Sequence, residues 1–330
     1  KGETRSIWVT VRIPEDAPSG NYFGKVLVMA DGEKATVNVS LKVWNFTLPK
    51  ESHMWLTHFM WVESGCQAYG IQPWSEDCWK LIENYAEDMA AHRQNVILTP
   101  SFSLIKIYCD DAGNLSFDFT DFDRWVTLFK SKGIPLIEGF YLARAKIGDK
   151  SEKFPIRRKS DGALISNESY DTFGEEFEKY FGAYLKALEK HLEEKGWLKD
   201  FIIHLSDEPK PQGVAAYRRL GEVAKKYAPR IRRVDAIVLK DEIAGYIDIW
   251  VPLLSEYFTD YYKERQKMGE EVWWYTACMP RGNKYPNLFI DYPLIKVRII
   301  HWLNFTYGIT GWLRWGYNYY FAPGGKEFLD

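Results

Sequence analysis

Two adjacent acids, Asp207 and Glu208, stand in the stretch "FIIHLSDEPKPQG" (201–213), where an apolar run gives way to a proline. Side chains alternate faces along a regular strand. At a strand's last residues the chain curls into a loop, so neighbouring carboxyls can reach one cleft from different angles. One could then act as acid and base beside a scissile bond while the other lies under an adjacent part of the same substrate. The competing role is structural: Ser206 or Asp207 as a helix cap, with Pro209 near the first turn and an acid favoured by the helix dipole.

Further groups suited to holding a sugar close other apolar segments. His58 and Trp61 end a first, Glu138, Phe140, Tyr141 and Arg144 follow a third, and Asp235 ends a fifth. Tyr275 and Thr276 end a seventh, and Trp312, Arg314, Trp315, Tyr317 and Asn318 an eighth. Pyranose C–H faces stack on aromatic rings, which puts Tyr275 and Trp315 first among the candidate substrate contacts. Trp312, Tyr141, Asp235, Arg314, His58 and Asn318 stand beside them. Each has a structural reading too: Trp312 and Trp315 can fill a barrel mouth, and Arg314 can pair with a buried acid.

The elements that must position these groups follow from periodicity. Residues 1–46 read as β, with "SIWVTVRI" and "ATVNVSLKVW" alternating and a tight Asp31-Gly32 turn between two strands. From about residue 53, short apolar strands alternate with amphipathic helices. The strands are 54–61, 95–100, 134–140, 201–207, 232–237, 247–252, 271–276 and 309–315. Eight strands with intervening helices predict an α/β chain: a (β/α)8 TIM-type barrel over 49–330, preceded at 1–48 by the C-terminal part of a β-sandwich. A doubly wound open sheet would want a Gly-rich phosphate loop after an early strand, and no GxGxxG or GxxxxGK[ST] occurs. Two long segments, 101–120 with room for a hairpin and 141–170, leave strand ends on the face where barrel active sites are built.

Composition removes several functions. The 330 residues carry 43 basic and 45 acidic groups, so no basic face argues for nucleic acid. No apolar run of about 18 residues argues for a membrane span. Six scattered histidines lack HxH or HExxH spacing, and no metal or other cofactor is expected. There is no GxSxG elbow. Cys66 and Cys78 could pair or stay as free buried thiols. The opening residues already read as strand and turn, the pattern expected of a processed chain or fragment, from which any export signal could have been removed. An exported protein, periplasmic, cell-surface or secreted, is the expectation.

The stretches "PSGNYFGKVLV…VNVSLKVWNFTLP", "SDEP" after the fourth strand and "GWLRWGYNYY" at the eighth resemble glycoside hydrolase family 123. The resemblance implies exo-acting β-N-acetylgalactosaminidase chemistry with retention, in which the substrate's own 2-acetamido oxygen attacks the anomeric carbon to give an oxazolinium intermediate. The implied partner is a glycan or glycoconjugate ending in a 2-acetamido sugar. By the same resemblance Asp207 would orient the acetamido group, while Glu208 would protonate the leaving oxygen and then activate water. An enzymic nucleophile must face the acid across the bond, about 5–5.5 Å away, and usually comes from another strand. Adjacent acids suit a substrate that supplies the nucleophile itself. Two alternatives stay open: a glycosidase of other specificity with Asp235 or Glu138 as nucleophile, and a non-catalytic carbohydrate-binding barrel.

Overall fold

The computed structural model describes residues 6–143, 149–282 and 284–321, and the chain divides into two compact units, Lys1–Ser52 and His53–Asp330. In the first, β1 (Gly20–Ala30) and β2 (Glu33–Val43) form an antiparallel hairpin closed by Asp31 and Gly32. Both turn residues take positive φ, 51° and 85°, as the twist of a two-residue hairpin requires. Among the described residues this sheet has two strands, not three. The alternating "SIWVTVRI" forms no ladder, because alternation marks a segment that can pair without supplying the edge to pair with.

In the second unit β3 (Trp55–His58) leads through α1 (Val62–Ala68) and α2 (Glu76–Ala91) to β4 (Val96–Thr99) and a short α3 (Ser101–Leu104). The hairpin expected in 101–120 is present as β5 (Lys106–Cys109) and β6 (Leu115–Asp118), followed by α4 (Thr120–Ser131) and β7 (Leu136–Gly139). Next come β8 (Phe154–Arg158), β9 (Leu164–Glu168), α5 (Glu175–Glu194), β10 (Phe201–His204) and α6 (Val214–Tyr227). The chain continues through β11 (Arg232–Ile237), β12 (Ile249–Pro252), α7 (Thr259–Lys267) and β13 (Glu271–Thr276). It then passes through α8 (Leu294–Arg298) and α9 (Ile300–Tyr307) to β14 (Gly311–Arg314).

Eight parallel strands, β3, β4, β7 and β10 to β14, close into a barrel when β14 pairs with β3. They are the eight segments expected from the apolar pattern. Such strands are buried on both faces, so they read as continuous apolar runs. One face fills the barrel with Ile202, Val234, Val251, Trp273 and Leu313. The other packs beneath the helices with Ile203, Trp250, Trp274 and Trp312. Among the described residues no helix is long and apolar enough to cross a membrane.

The two long segments do not stand apart. β8 and β9 extend the β5–β6 hairpin into a four-stranded sheet of order β6-β5-β8-β9, with β5 and β8 parallel in the register Ile107↔Ile156. The sequence conceals this sheet because each half of it is a polar loop until the other arrives. Phe154 and Ile156 are buried, whereas Pro155 between them is only half-buried.

Where β14 pairs with β13, Gly311 lies opposite Trp273, and a Cβ at Gly311 would overlap the fully buried indole. Gly311→Ala should therefore cost about 1–3 kcal/mol through overpacking. Guanidinium titration of the variant beside wild type checks this, with a lower midpoint expected.

Candidate active site

After His204 the chain leaves β10 and turns through Leu205 and Ser206 into Asp207 and Glu208. The turn is tight: Glu208 takes φ 44°, a left-handed conformation uncommon outside glycine. Its amide donates to the Ala236 carbonyl of β11 at 2.9 Å. Both acids are half-buried. Tyr275, at the end of β13, donates its hydroxyl to Oε1 of Glu208 at 2.5 Å, and Lys210 Nζ lies 3.8 Å from Oε2. Burial and that bond to Glu208 hold the Tyr275 phenol well above its ordinary range, so it stays a donor. Tyr141 is likewise held protonated, first by burial and next by the charge of Asp207. The capping role for the acids is not realised. Neither the one-turn helix at Pro211–Gly213 nor α6 has a side-chain cap.

Beneath this turn lies a buried ionic cluster. His204 places Nδ1 at 2.9 Å from Asp235 and Nε2 at 2.7 Å from Glu138, and all three residues are 0% exposed. Thr57 of β3 donates to the second oxygen of Glu138 at 2.8 Å. Asp235 also accepts from Tyr217 of α6 at 2.8 Å and from the amides of Leu205 and Ser206 at 3.1 and 3.2 Å. Burial by itself would strip the proton from His204. Hydrogen bonds to Asp235 and Glu138, together with their charges, outweigh burial and push it up to about 10. Burial pushes Asp235 up to about 6, so carboxylate and imidazolium coexist at neutral pH.

The structure places Asp235 in the buried floor of the site and not at an exposed strand end. Its carboxylate is met by His204, Tyr217 and the amides of Leu205 and Ser206, and it lies between Val234 and Ala236, which line the barrel interior, so strand alternation turns it toward α6. Trp312 and His58 are corrected in the same way. Leu313 and Thr57 take the inward positions, and the two rings meet edge-on at 5.2 Å on the helix side. Burial holds His58 neutral, down at about 4. Arg314 shares the Trp312 side of β14 and donates to Asn287 at 3.0 Å in the loop after β13. Asn318 is 1% exposed and spends both ends of its amide on the backbone of Trp61, at 2.7 and 3.2 Å. Arg144 falls outside the described residues.

Of the other expected contacts, Tyr275 touches Glu208, Tyr141 lies against His204 at 4.7 Å, and Trp315, just after β14, is 37% exposed. Trp61 joins them: its indole donates to the Trp315 carbonyl at 3.0 Å, and its ring meets Tyr319 edge-on. His204 and Tyr217 were missed as members of the site. Alternation carried a signal for His204, which shares the inward parity of Ile202. Nothing local pointed to Tyr217, whose contact crosses from helix to strand.

His204→Gln would leave two carboxylates buried without a counter-charge and should destabilise the fold by about 3–5 kcal/mol. His204 is held above its unfolded value of 6.5, so its contribution is complete below that pH and is lost as the pH rises through about 10. Urea titrations of both proteins across that range should show the gap narrowing. A constant gap would mean that the charge on His204 contributes nothing.

The model of the glycoside hydrolase 123 catalytic domain matches residues 61–329. Among solved structures, a family 123 glycoside hydrolase from Clostridium perfringens superposes with a TM-score of 0.71 at 18% identity, covering 94% of this chain and 60% of that one. This chain therefore spans about 60% of the length of that relative. A glycoside hydrolase family 5 protein from Bacteroides vulgatus superposes with a TM-score of 0.46 at 11% identity, over 83% of this chain and 61% of that one. No curated protein sequence matches. With its barrel matched from the first loop through the eighth strand, the chain belongs to glycoside hydrolase family 123.

Proposed function

We propose that this protein removes terminal β-linked N-acetylgalactosamine, or a related 2-acetamido sugar, from a glycan with retention of configuration and with the substrate's acetamido group as nucleophile. One observation carries the reading. The acids of β7 and β11, Glu138 and Asp235, are fully buried and hydrogen-bonded to His204, so neither is placed to attack a sugar. Asp207 and Glu208 remain together at the mouth, the arrangement that an internal nucleophile requires. The Clostridium perfringens relative is described in connection with glycolipid glycan hydrolysis, and that supports a glycoconjugate as the substrate class.

In this reading Glu208 gives its proton to the glycosidic oxygen as the acetamido carbonyl oxygen closes on the anomeric carbon. Asp207 accepts the acetamido N–H and stabilises the positive charge of the oxazolinium ring. Glu208, now a carboxylate, takes a proton from water, whose oxygen attacks the same carbon and reopens the ring. Tyr275 holds Oε1 of Glu208, which leaves Oε2 to carry the transferred proton. The net negative charge below, two carboxylates about one imidazolium, also favours a cation forming above it. Trp315 and Tyr141 offer rings for the sugar's apolar face.

An aryl N-acetyl-β-galactosaminide should be hydrolysed while the plain β-galactoside is not, and Asp207→Asn and Glu208→Gln should each lower kcat by about 10²–10⁴-fold. Hydrolysis of the plain galactoside, or variants that stay active, would show that the roles are wrong. No turnover of any glycoside would favour a carbohydrate-binding barrel. Tyr275→Phe removes one bond to a charged group and should cost about 10–100-fold in kcat with KM changed little. Steady-state kinetics on the aryl substrate checks this, and a loss confined to KM would refute the positioning of Glu208 by Tyr275.

A further inference from the structure

Cys66 belongs to α1 and Cys78 to the first turn of α2, yet their sulfurs are in contact at 2.7 Å and both residues are 0% exposed. Each is fixed by its own surroundings. Ser75 caps α2 by accepting from the Cys78 amide at 3.2 Å. The turn that leaves α1 returns the Ile71 amide to the Cys66 carbonyl at 2.8 Å. In the loop between the helices, Trp74 packs its ring on Trp79 and Trp125, with centroids 6.1 and 6.4 Å apart.

A sealed pair of thiols has few chemical uses. Metal binding would need further ligands, and among the described residues no group of three or more His, Cys, Asp or Glu could hold an ion. A reactive thiol needs access and an easily lost proton. Burial, and then the bond to Cys78, push the Cys66 thiol up to about 12. A cross-link asks only that two cysteines be held face to face from different elements, and that condition is met. Cys109, half-buried on β5, and Cys278, exposed after β13, stand apart from the pair.

We propose that Cys66 and Cys78 are joined by a disulfide in the oxidised protein, and that this bond clamps α1 beneath the mouth of the barrel. It forms while the chain folds, by exchange with an external disulfide. The thiolate of one cysteine attacks that disulfide and releases a first thiol, and the second cysteine displaces the other. Two protons leave the cysteines, and the external disulfide takes up two electrons to become two thiols. The clamp matters because α1 seats the chain after β14. Ser64 accepts from the Tyr320 amide at 2.9 Å, and a Cβ at Gly65 would lie 2.9 Å from Nδ2 of Asn318, the residue that holds the Trp61 backbone.

The test refolds the whole chain in oxidised and reduced glutathione, then adds iodoacetamide in guanidinium and maps the labels by mass spectrometry. Cys66 and Cys78 should take up no label. Cleavage after Glu76, which lies between them, should leave the two fragments joined until a reductant is added. Label on both residues, or fragments that separate without reductant, overturns the bond and leaves two packed thiols. The thermal midpoint of wild type should be about 5–10 °C higher oxidised than refolded in dithiothreitol, as expected for closing a short loop. Cys78→Ala should melt at one temperature in both conditions. Equal midpoints for oxidised and reduced wild type, or a redox shift that survives in Cys78→Ala, overturn the clamp.

Discussion

A protonated imidazole between two carboxylates, sealed from water, is costly unless each charge is met. His204 meets the condition by joining three neighbouring strands side by side: Glu138 on β7, itself on β10, and Asp235 on β11. Asp235 then uses its remaining acceptors on the amides of Leu205 and Ser206. Those are the two residues before Asp207, so the geometry of the paired acids Asp207 and Glu208 is set by a charge buried beneath them. Glu208 can hold its left-handed backbone because the residues before it are pinned and its own amide is bound to Ala236.

Around that fixed point the mouth has two kinds of wall. On one side the β3 and β14 ends are tied together through Asn318 and the Trp61 backbone, and through the Trp61 indole and Trp315. Rigid aromatic groups of this sort suit a sugar that must be held in one orientation. On the other side the wall is made of inserted chain, where β5 and β6 combine with β8 and β9. Barrels commonly vary their recognition through such loops and leave the strand framework alone.

How much of this could be read from sequence differs by element. The eight strands were legible because buried parallel strands are apolar throughout, and Asp207-Glu208 stood out because charge at such a strand's end is unusual. Facing was harder. His58, Trp312 and Arg314 all end strands, but their neighbours Thr57 and Leu313 hold the inward positions, and that parity is not visible until one residue's direction is known. Asp235 was legible as important but not as buried, since its explanation is a hydroxyl on α6 and a histidine on the next strand. The side sheet was hidden because each pair of its strands needs the other, separated by α4 and β7, to become a sheet.

The central claim is that the substrate's acetamido oxygen, and no carboxylate of the protein, attacks the anomeric carbon. Hydrolysis rates of aryl β-galactosaminides bearing N-acetyl, N-monofluoroacetyl, N-difluoroacetyl and N-trifluoroacetyl groups test it most directly. Each fluorine withdraws electrons from the carbonyl oxygen, so kcat should fall steeply along the series if that oxygen is the nucleophile. A flat series would contradict the account and return attention to an enzymic carboxylate.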